Sequence, residues 1–275
     1  MVSRGYGCGE PGAARSVEQD ESNAARTAVA PEAPRHADLF DRWGRDSAKA
    51  HHPFIRAAGG LVVAFVLDDG DDTEVDRWGS GLREAGAPEA RVVVVSPERP
   101  PRISDLDGAT GVYVAGGLTP AYREVLVDGG TDWLEPARVA DLPYAGFSAG
   151  AAIAAVHALV GGCRTTFRER QIDVCHEDCA ENLNAVTVLP GLGLVPFIVD
   201  VHAAQWGTHY RLVHAMLGAA LNEGWAIDEH TTVEVADGAA TIHGVGTATR
   251  ARRVDDRIEL SVHVAGDSIA LGKLQ

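Results

Sequence analysis

The sequence has few cysteines and no long apolar segment. Four cysteines in 275 residues do not resemble a disulfide framework, and a chain of this length does not need one. No apolar run reaches the roughly 20 residues of a membrane-spanning helix, and the first 16 residues contain no apolar signal-peptide core. We therefore expect a cytoplasmic protein with free thiols, at Cys8, Cys163, Cys175 and Cys179.

Positive charge is also scarce. The formal net charge is −15, and Lys49 and Lys273 are the only lysines. Since nucleic acids and anionic membranes attract basic surfaces, this balance argues against both as partners.

The composition changes along the chain. Residues 1–50 are rich in Gly, Ala, Pro, Glu, Arg and Ser and poor in large apolar side chains, which predicts a disordered leader with a short helix near Ala37 to Trp43. Residues 51–275 carry the apolar segments that a folded core needs. We interpret them as a single α/β domain.

Apolar runs alternate with helical patterns through most of this domain. The run Leu61 to Leu67 is continuous, as expected of a parallel strand buried on both faces. The alternation predicts a doubly wound, mostly parallel sheet with helices on both faces, followed by antiparallel strands from Thr232 onward. The other predicted strands are 91–95, 111–115, 142–147 and 225–227, and the predicted helices are 73–85, 119–127, 149–160 and 208–222.

One motif has the pattern of a nucleophile elbow. Gly146-Phe147-Ser148-Ala149-Gly150 fits G-x-S-x-G, between a short apolar run and an Ala-rich, helix-forming segment. Such a strand–helix turn lifts the serine oxygen to the end of a sheet and requires small neighbours. The alternative is a Gly/Ala-rich junction with an incidental serine.

A glycine pair lies one strand–helix–strand unit before the elbow. Gly116-Gly117 ends the strand that begins at Gly111, and neighbouring parallel strands would bring this pair to Ser148. The N–H groups of Gly117 and Ala149 could then form an oxyanion hole. The alternative is that the glycines merely end a strand.

Three further groups are candidates for a general base or a metal site. His202 directly follows an apolar run, which makes it a candidate base, although a structural histidine is the more frequent case. The acidic loop 68–72 lacks recognisable ligand spacing. The Cys175-His176-x-x-Cys179 pattern has some resemblance to a zinc site, but it lacks a second ligand pair except the lone Cys163. We therefore expect no metal and no cofactor, with the cysteines on ordinary helix faces.

Taken together, these motifs resemble peptidase family S51, the dipeptidase E and cyanophycinase group. The resemblance covers about residues 60–250 and implies a class I glutamine-amidotransferase-like sheet. It implies Ser148 as nucleophile, His202 as base and Glu229 as the orienting acid, with Gly117 and Ala149 as oxyanion donors. The matching segments are 116–119, 146–151, 164–166, 196–202 and 226–229.

The chain departs from the family pattern around the expected substrate pocket. Leu118 replaces the usual Asn, and Ala203 replaces an aromatic residue. Trp206 and Thr208 replace two arginines that help dipeptidase E relatives read acidic substrates, and only Arg211 remains. A preference different from Asp-X dipeptides is therefore expected. The substrate contacts implied by the resemblance are Leu118, Thr119, Trp206 and Arg211.

Several functions stay open at this point. The first is a serine hydrolase that cleaves a small peptide or amide, as a monomer or a homodimer. A second is a catalytically silent relative that binds a ligand or partner. An α/β-hydrolase esterase would need the order Ser, acid, His, whereas the order here is Ser148, His202, Glu229. A glutamine amidotransferase would need cysteine at position 148.

Overall fold

The computed structural model describes residues 45–68, 70 and 73–272, which form an α/β fold with two four-stranded sheets and three smaller ones. The helices, numbered in chain order, are α1 Arg45–Ala58, α2 Thr73–Glu84, α3 Thr119–Arg123, α4 Leu134–Val139, α5 Ala149–Ala154, α6 Ala203–Trp206 and α7 His209–Gly218. The strands are β1 Leu61–Leu67, β2 Glu89–Val95, β3 Gly111–Val114, β4 Tyr144–Gly146, β5 His157–Gly161, β6 Arg164–Phe167, β7 Arg170–Asp173, β8 Thr187–Pro190, β9 Ile198–Val201, β10 Glu223–Ile227, β11 Thr231–Ala236, β12 Ala239–Gly244, β13 Thr247–Val254, β14 Arg257–Val264 and β15 Ser268–Ala270.

The first sheet has the order β2-β1-β3-β4, and all its strands are parallel. Val62 to Val66 of β1 are at most 1 % exposed, because helices cover the sheet. The continuous apolar run correctly predicted this double-sided burial. The strand order also places the carboxyl ends of β3 and β4 side by side, where the glycine pair and Ser148 follow.

The second sheet has the order β14-β13-β10-β9. β9 and β10 are parallel, while β10, β13 and β14 pair antiparallel, as do β11, β12 and β15 in a separate sheet. The antiparallel strands expected after Thr232 are therefore present. The parallel pair brings together the ends of β9 and β10, which precede His202 and Glu229.

Two predicted helices are shorter than the sequence suggested. The helix predicted over 149–160 ends at Ala154, and residues 157–161 form β5 instead. This prediction was wrong because strand pairing with β8 overrides the local preference of an Ala-rich segment. The helix predicted over 119–127 is regular only to Arg123 and continues as a π turn over Glu124–Asp128.

The domain start and the cysteines also differ from expectation. Helix α1 begins at Arg45, before the position where the leader was expected to end. The helix expected near residues 37–43 lies outside the described residues. Cys163 and Cys175 lie in loops and Cys179 in a one-turn 3₁₀ helix, so the prediction of helix-face cysteines was wrong. Over the described ranges, no helix combines the length and apolar character needed to cross a bilayer.

Candidate active site

Ser148 forms the turn between β4 and α5. Its φ of 49° and ψ of −110° are strained for a residue with a side chain. A Cβ atom on Gly146 would lie 2.3 Å from the backbone of Gly150, and one on Gly150 would lie 2.3 Å from the carbonyl oxygen of Val114. Glycine at these two positions therefore lets α5 begin directly against β3 and β4, with Ser148 at the strand ends.

The imidazole of His202 lies beside Ser148. A distance of 2.9 Å separates the Ser148 Oγ from the His202 Nε2, which is a hydrogen bond between a hydroxyl and a ring nitrogen. His202 follows β9, adopts a left-handed φ of 53° and is 7 % exposed. This is the geometry in which an imidazole can take the proton of a serine hydroxyl.

The carboxylate of Glu229 is the acid beside His202. Its Oε1 lies 3.3 Å from the His202 Nδ1, an ion-pair distance. Nδ1 is buried, and among the described residues no acceptor receives a hydrogen bond from it in good geometry. The backbone N–H of Glu229 donates to the Oε1 of Gln205 at 3.1 Å. Gln205 was not a sequence candidate, because a contact between residues 24 positions apart leaves no local pattern.

Besides Glu229, Asp200 and Asp228 are carboxylates close enough to His202 in the fold to be considered for the orienting role, and Asp200 is engaged elsewhere. Its two oxygens accept hydrogen bonds from the Nε and Nη2 of Arg211 at 2.9 and 2.5 Å. One of them also accepts from the N–H of Val201 at 2.9 Å. Asp200 is 2 % exposed, so its carboxylate is committed to this buried bidentate pair.

Arg211 is therefore held inside the protein. It is 3 % exposed, and its Nη1 donates to the carbonyl of Cys179. Burial opposes its charge, but the neighbouring carboxylate of Asp200 outweighs burial and raises the pKa of Arg211. With its donors satisfied by Asp200 and Cys179, Arg211 joins α7 to β9, and the structure gives no support to the substrate contact that the resemblance implies.

Asp228 is likewise occupied by backbone and hydroxyl donors. Its Oδ1 accepts from the N–H of Ala204 at 2.9 Å, and its Oδ2 accepts from the N–H and Oγ1 of Thr247 at 3.1 and 2.5 Å. These contacts join the turn after β10 to α6 and β13. Of the three carboxylates weighed for this role, only Glu229 approaches His202 within ion-pair distance.

The glycine turn after β3 abuts the elbow. A Cβ atom on Gly116 would lie 2.9 Å from the Cβ of Ser148, and one on Gly117 would lie 3.0 Å from the ring of Tyr122. Ala149 is the first residue of α5, so its N–H has no acceptor within that helix. The structure therefore brings together the turn and the helix start that were expected to supply the oxyanion donors.

The other residues expected to contact substrate lie in different environments. The Trp206 ring stacks on the His202 imidazole, with a centroid distance of 4.4 Å and an interplanar angle of 27°. Leu118 is 36 % exposed. Thr119 is 3 % exposed, and its N–H and Oγ1 donate to Glu181 at 3.1 and 3.3 Å. Trp206 thus adjoins the paired Ser148 and His202, while Thr119 is engaged within the protein.

A cavity of about 650 Å³ adjoins these groups. Ser148, His202 and Glu229 line one part of it, and helix α1 lines another. Its size lies within the range of sites for small-molecule ligands.

The thiols lie close to the buried arginine. Burial raises the pKa of Cys175 from 9.0 to about 11, against the lowering effect of Arg211. Burial also raises the pKa of Cys179. Their thiols donate to the carbonyl oxygens of Gly162 and Trp206. In the described part of the chain, no group of three or more His, Cys, Asp or Glu side chains could hold a metal ion.

Comparison with known proteins gives a family match. Residues 64–243, well over half of the chain, match the sequence model of peptidase family S51. No curated protein matches the sequence. Among solved structures, the chain is similar to a proposed peptidase E protein from Listeria monocytogenes EGD-e, with 16 % identity and a TM-score of 0.41. The similarity covers 78 % of this chain and 95 % of that one.

Proposed function

Because the chain belongs to peptidase family S51, we propose that it is a serine hydrolase that cleaves a peptide or amide bond with Ser148 as nucleophile. His202 acts as the general base and Glu229 orients it. The observation that carries this proposal is the 2.9 Å hydrogen bond between the Ser148 Oγ and the His202 Nε2 at a strained strand–helix turn.

The proposed reaction follows from these positions. The Ser148 Oγ attacks the carbonyl carbon of the substrate while the His202 Nε2 takes the hydroxyl proton. The negative oxygen that forms is held by the N–H groups of Gly117 and Ala149. His202 then gives its proton to the departing amine nitrogen as the C–N bond breaks. A water molecule, deprotonated by His202, finally hydrolyses the acyl-serine ester and restores Ser148.

Glu229 completes the charge arrangement in this proposal. The imidazole becomes positive after it takes the serine proton, and a nearby carboxylate stabilises that charge and holds the ring orientation. Its 3.3 Å distance from Nδ1 needs only a small adjustment to become a direct hydrogen bond. Such tightening on substrate binding is common in hydrolase sites.

The fold assignment is part of the proposal. We interpret the parallel sheet with Ser148 at its carboxyl edge as class I glutamine-amidotransferase-like, with a serine in place of the cysteine of that group. Small peptides and amides are the proposed substrates.

A fluorophosphonate probe tests the proposal directly, because it modifies only an activated serine. We expect stoichiometric labelling of the parent protein at Ser148, mapped by peptide mass spectrometry, and none in Ser148→Ala. His202→Asn should slow labelling strongly, while the exposed-site variant His52→Asn should label like the parent. A folded parent protein that is not labelled would instead identify a catalytically silent member of the family.

A further inference from the structure

The cavity beside Ser148 extends far beyond the reacting groups. It follows α1 from His51, whose ring lies 6.4 Å from that of Phe147, to Ala57 near the end of the helix. A Cβ atom on Gly111, the first residue of β3, would lie 2.7 Å from the neighbouring Ala58. Ala57 therefore lies at the amino ends of the strands, opposite Ser148. Ala57 lies six residues after His51, a rise of about 9 Å along the helix.

The opposite wall of the cavity is apolar. Phe197, Val199 and Val201 are alternate residues of the segment that forms β9, so they share one face, and all three line the cavity. Ile227 and Val233 continue this wall from β10 and β11. Side chains rather than strand edges form this wall, so it offers no row of backbone N–H and C=O groups to an extended peptide. The wall therefore fits a hydrocarbon chain better than a peptide backbone.

Several of the polar side chains that line the cavity have partners within the protein. The Nε2 of His51 lies 3.0 Å from the Tyr113 hydroxyl, and a Glu234 oxygen lies 2.7 Å from the Nε2 of His243. Arg138, at the far end, donates to the carbonyl oxygens of residues 192 and 193. These groups therefore do not require a polar ligand beside them.

From this lining and its continuity with Ser148 we infer that the cavity binds an extended apolar acyl group of the substrate. The inference rests on the proposed function. The substrate class is an amide of a medium-length aliphatic acid. Ser148 forms the ester with the acyl carbon, the C–N bond breaks, the amine leaves with the proton carried by His202, and the hydrocarbon chain stays in the cavity until water releases the acid.

A chain-length series tests this inference on the parent protein. The probes are 4-nitroanilides of straight-chain acids with two to twelve carbons, with aspartyl 4-nitroanilide for comparison. We expect kcat/KM to rise by about fourfold per methylene until the cavity is filled. A second series, acetyl amides of straight-chain amines, should show no such rise. A flat acyl series, a rise in the amine series, or a preference for the aspartyl substrate would each overturn the inference.

A matched pair of variants tests whether the acyl chain of the substrate lies in this cavity. Ala57→Trp fills the far end of the cavity, so the rise should stop at a shorter chain while the shortest substrates are unaffected. Ala219→Trp places the same side chain at an exposed helix end outside the cavity and should keep the parent profile. Identical chain-length profiles for these two variants would count against the acyl site.

Fluorophosphonate labelling separates the two proposals. If Ser148 is labelled but hydrolysis does not depend on acyl length, the inference fails and the proposed function stands. If the folded protein is neither labelled nor active on any probe, the proposed function fails and the inference with it. The dependence of kcat/KM on acyl length in the parent protein tests the inference even if a variant does not fold.

Discussion

The Ser148 side of the site and the His202 side, called here the nucleophile side and the base side after their proposed roles, are built by different means. Around Ser148, position is set by backbone contact, with glycine at 146 and 150 where any side chain would collide with the chain. Around His202, position is set by buried charged and polar groups, with Asp200 paired to Arg211 and Asp228 bonded to three donors. The difference follows from the two roles. A nucleophile needs a strained turn at a strand end, whereas a base needs an oriented ring and a fixed charge.

The sharpest way to test the base side is to remove the acid itself. Glu229→Gln should lower kcat on an amide substrate roughly 10²–10⁴-fold, because the imidazolium loses its carboxylate. Asp228→Asn should cost much less in kcat and should mainly lower stability, since it weakens contacts to α6 and β13. Rates per labelled active site, with circular dichroism as a folding check, measure both. A collapse in Asp228→Asn beside a near-parent Glu229→Gln would transfer the role to Asp228.

Breaking the buried ion pair should affect stability next most strongly. Arg211→Met leaves the carboxylate of Asp200 buried and unpaired, which should lower the free energy of unfolding by about 3–5 kcal/mol. Urea denaturation followed by circular dichroism measures this loss. Arg164→Met removes an exposed ion pair with Asp173 and should leave the urea midpoint nearly unchanged. Equal losses of unfolding free energy in both variants would show that burial does not make the Asp200–Arg211 pair more important than the exposed pair.

The nucleophile side should respond to a single methyl group. Gly150→Ala places a Cβ atom 2.3 Å from the carbonyl oxygen of Val114, so α5 must shift. We expect a loss of about 1–3 kcal/mol in stability and slower fluorophosphonate labelling. Gly218→Ala is the control, because nothing lies within 4 Å of its added Cβ. A Gly150→Ala protein with parent stability and labelling would show that the close approach is not required.

The smallest expected effect concerns the thiols on the base side. The raised pKa of Cys175, about 11, leaves less thiolate at pH 8 than an ordinary cysteine has. Since intrinsic nucleophilicity rises with pKa, the net effect on alkylation by iodoacetamide should be roughly tenfold slowing relative to the unfolded chain. Peptide-resolved mass spectrometry in buffer and in guanidinium compares the two states. Equal rates would mean that the buried surroundings do not protect this thiol.

The sequence predicted those features that depend on a local requirement for one residue type. The strained strand–helix turn at Ser148 and the glycine turn were predictable because small residues at fixed spacing have few other uses between a strand and a helix. Their meeting was predictable too, since parallel strands one unit apart are usually neighbours. The burial of β1 on both faces was also predictable, because a continuous apolar run is a local pattern.

Contacts between distant segments were much less predictable. Residue type allowed Asp200, Asp228 or Glu229 as the acid, and Glu229 was favoured by the family resemblance and by the longer reach of a glutamate side chain. The pairing of Arg211 with Asp200 could not be read from spacing, because it depends on how α7 packs against β9. β5 was wrongly predicted as helix for a related reason. Its strand partner β8 lies about 30 residues away, and the Ala-rich segment itself contains no signal of that pairing.

The four residues of α6 contact several groups of the proposed site at once. Trp206 stacks on the His202 ring, Gln205 holds the backbone of Glu229, and Ala204 donates to Asp228. A left-handed residue stands at each end of this helix, His202 with φ of 53° and Gly207 with φ of 66°. Evolution therefore cannot adjust the surface beside the reacting serine through Trp206 without also moving the groups that align the base. New substrate preferences should arise more readily at the far end of the cavity, for example at Ala57 of α1, which takes no part in the contacts named here.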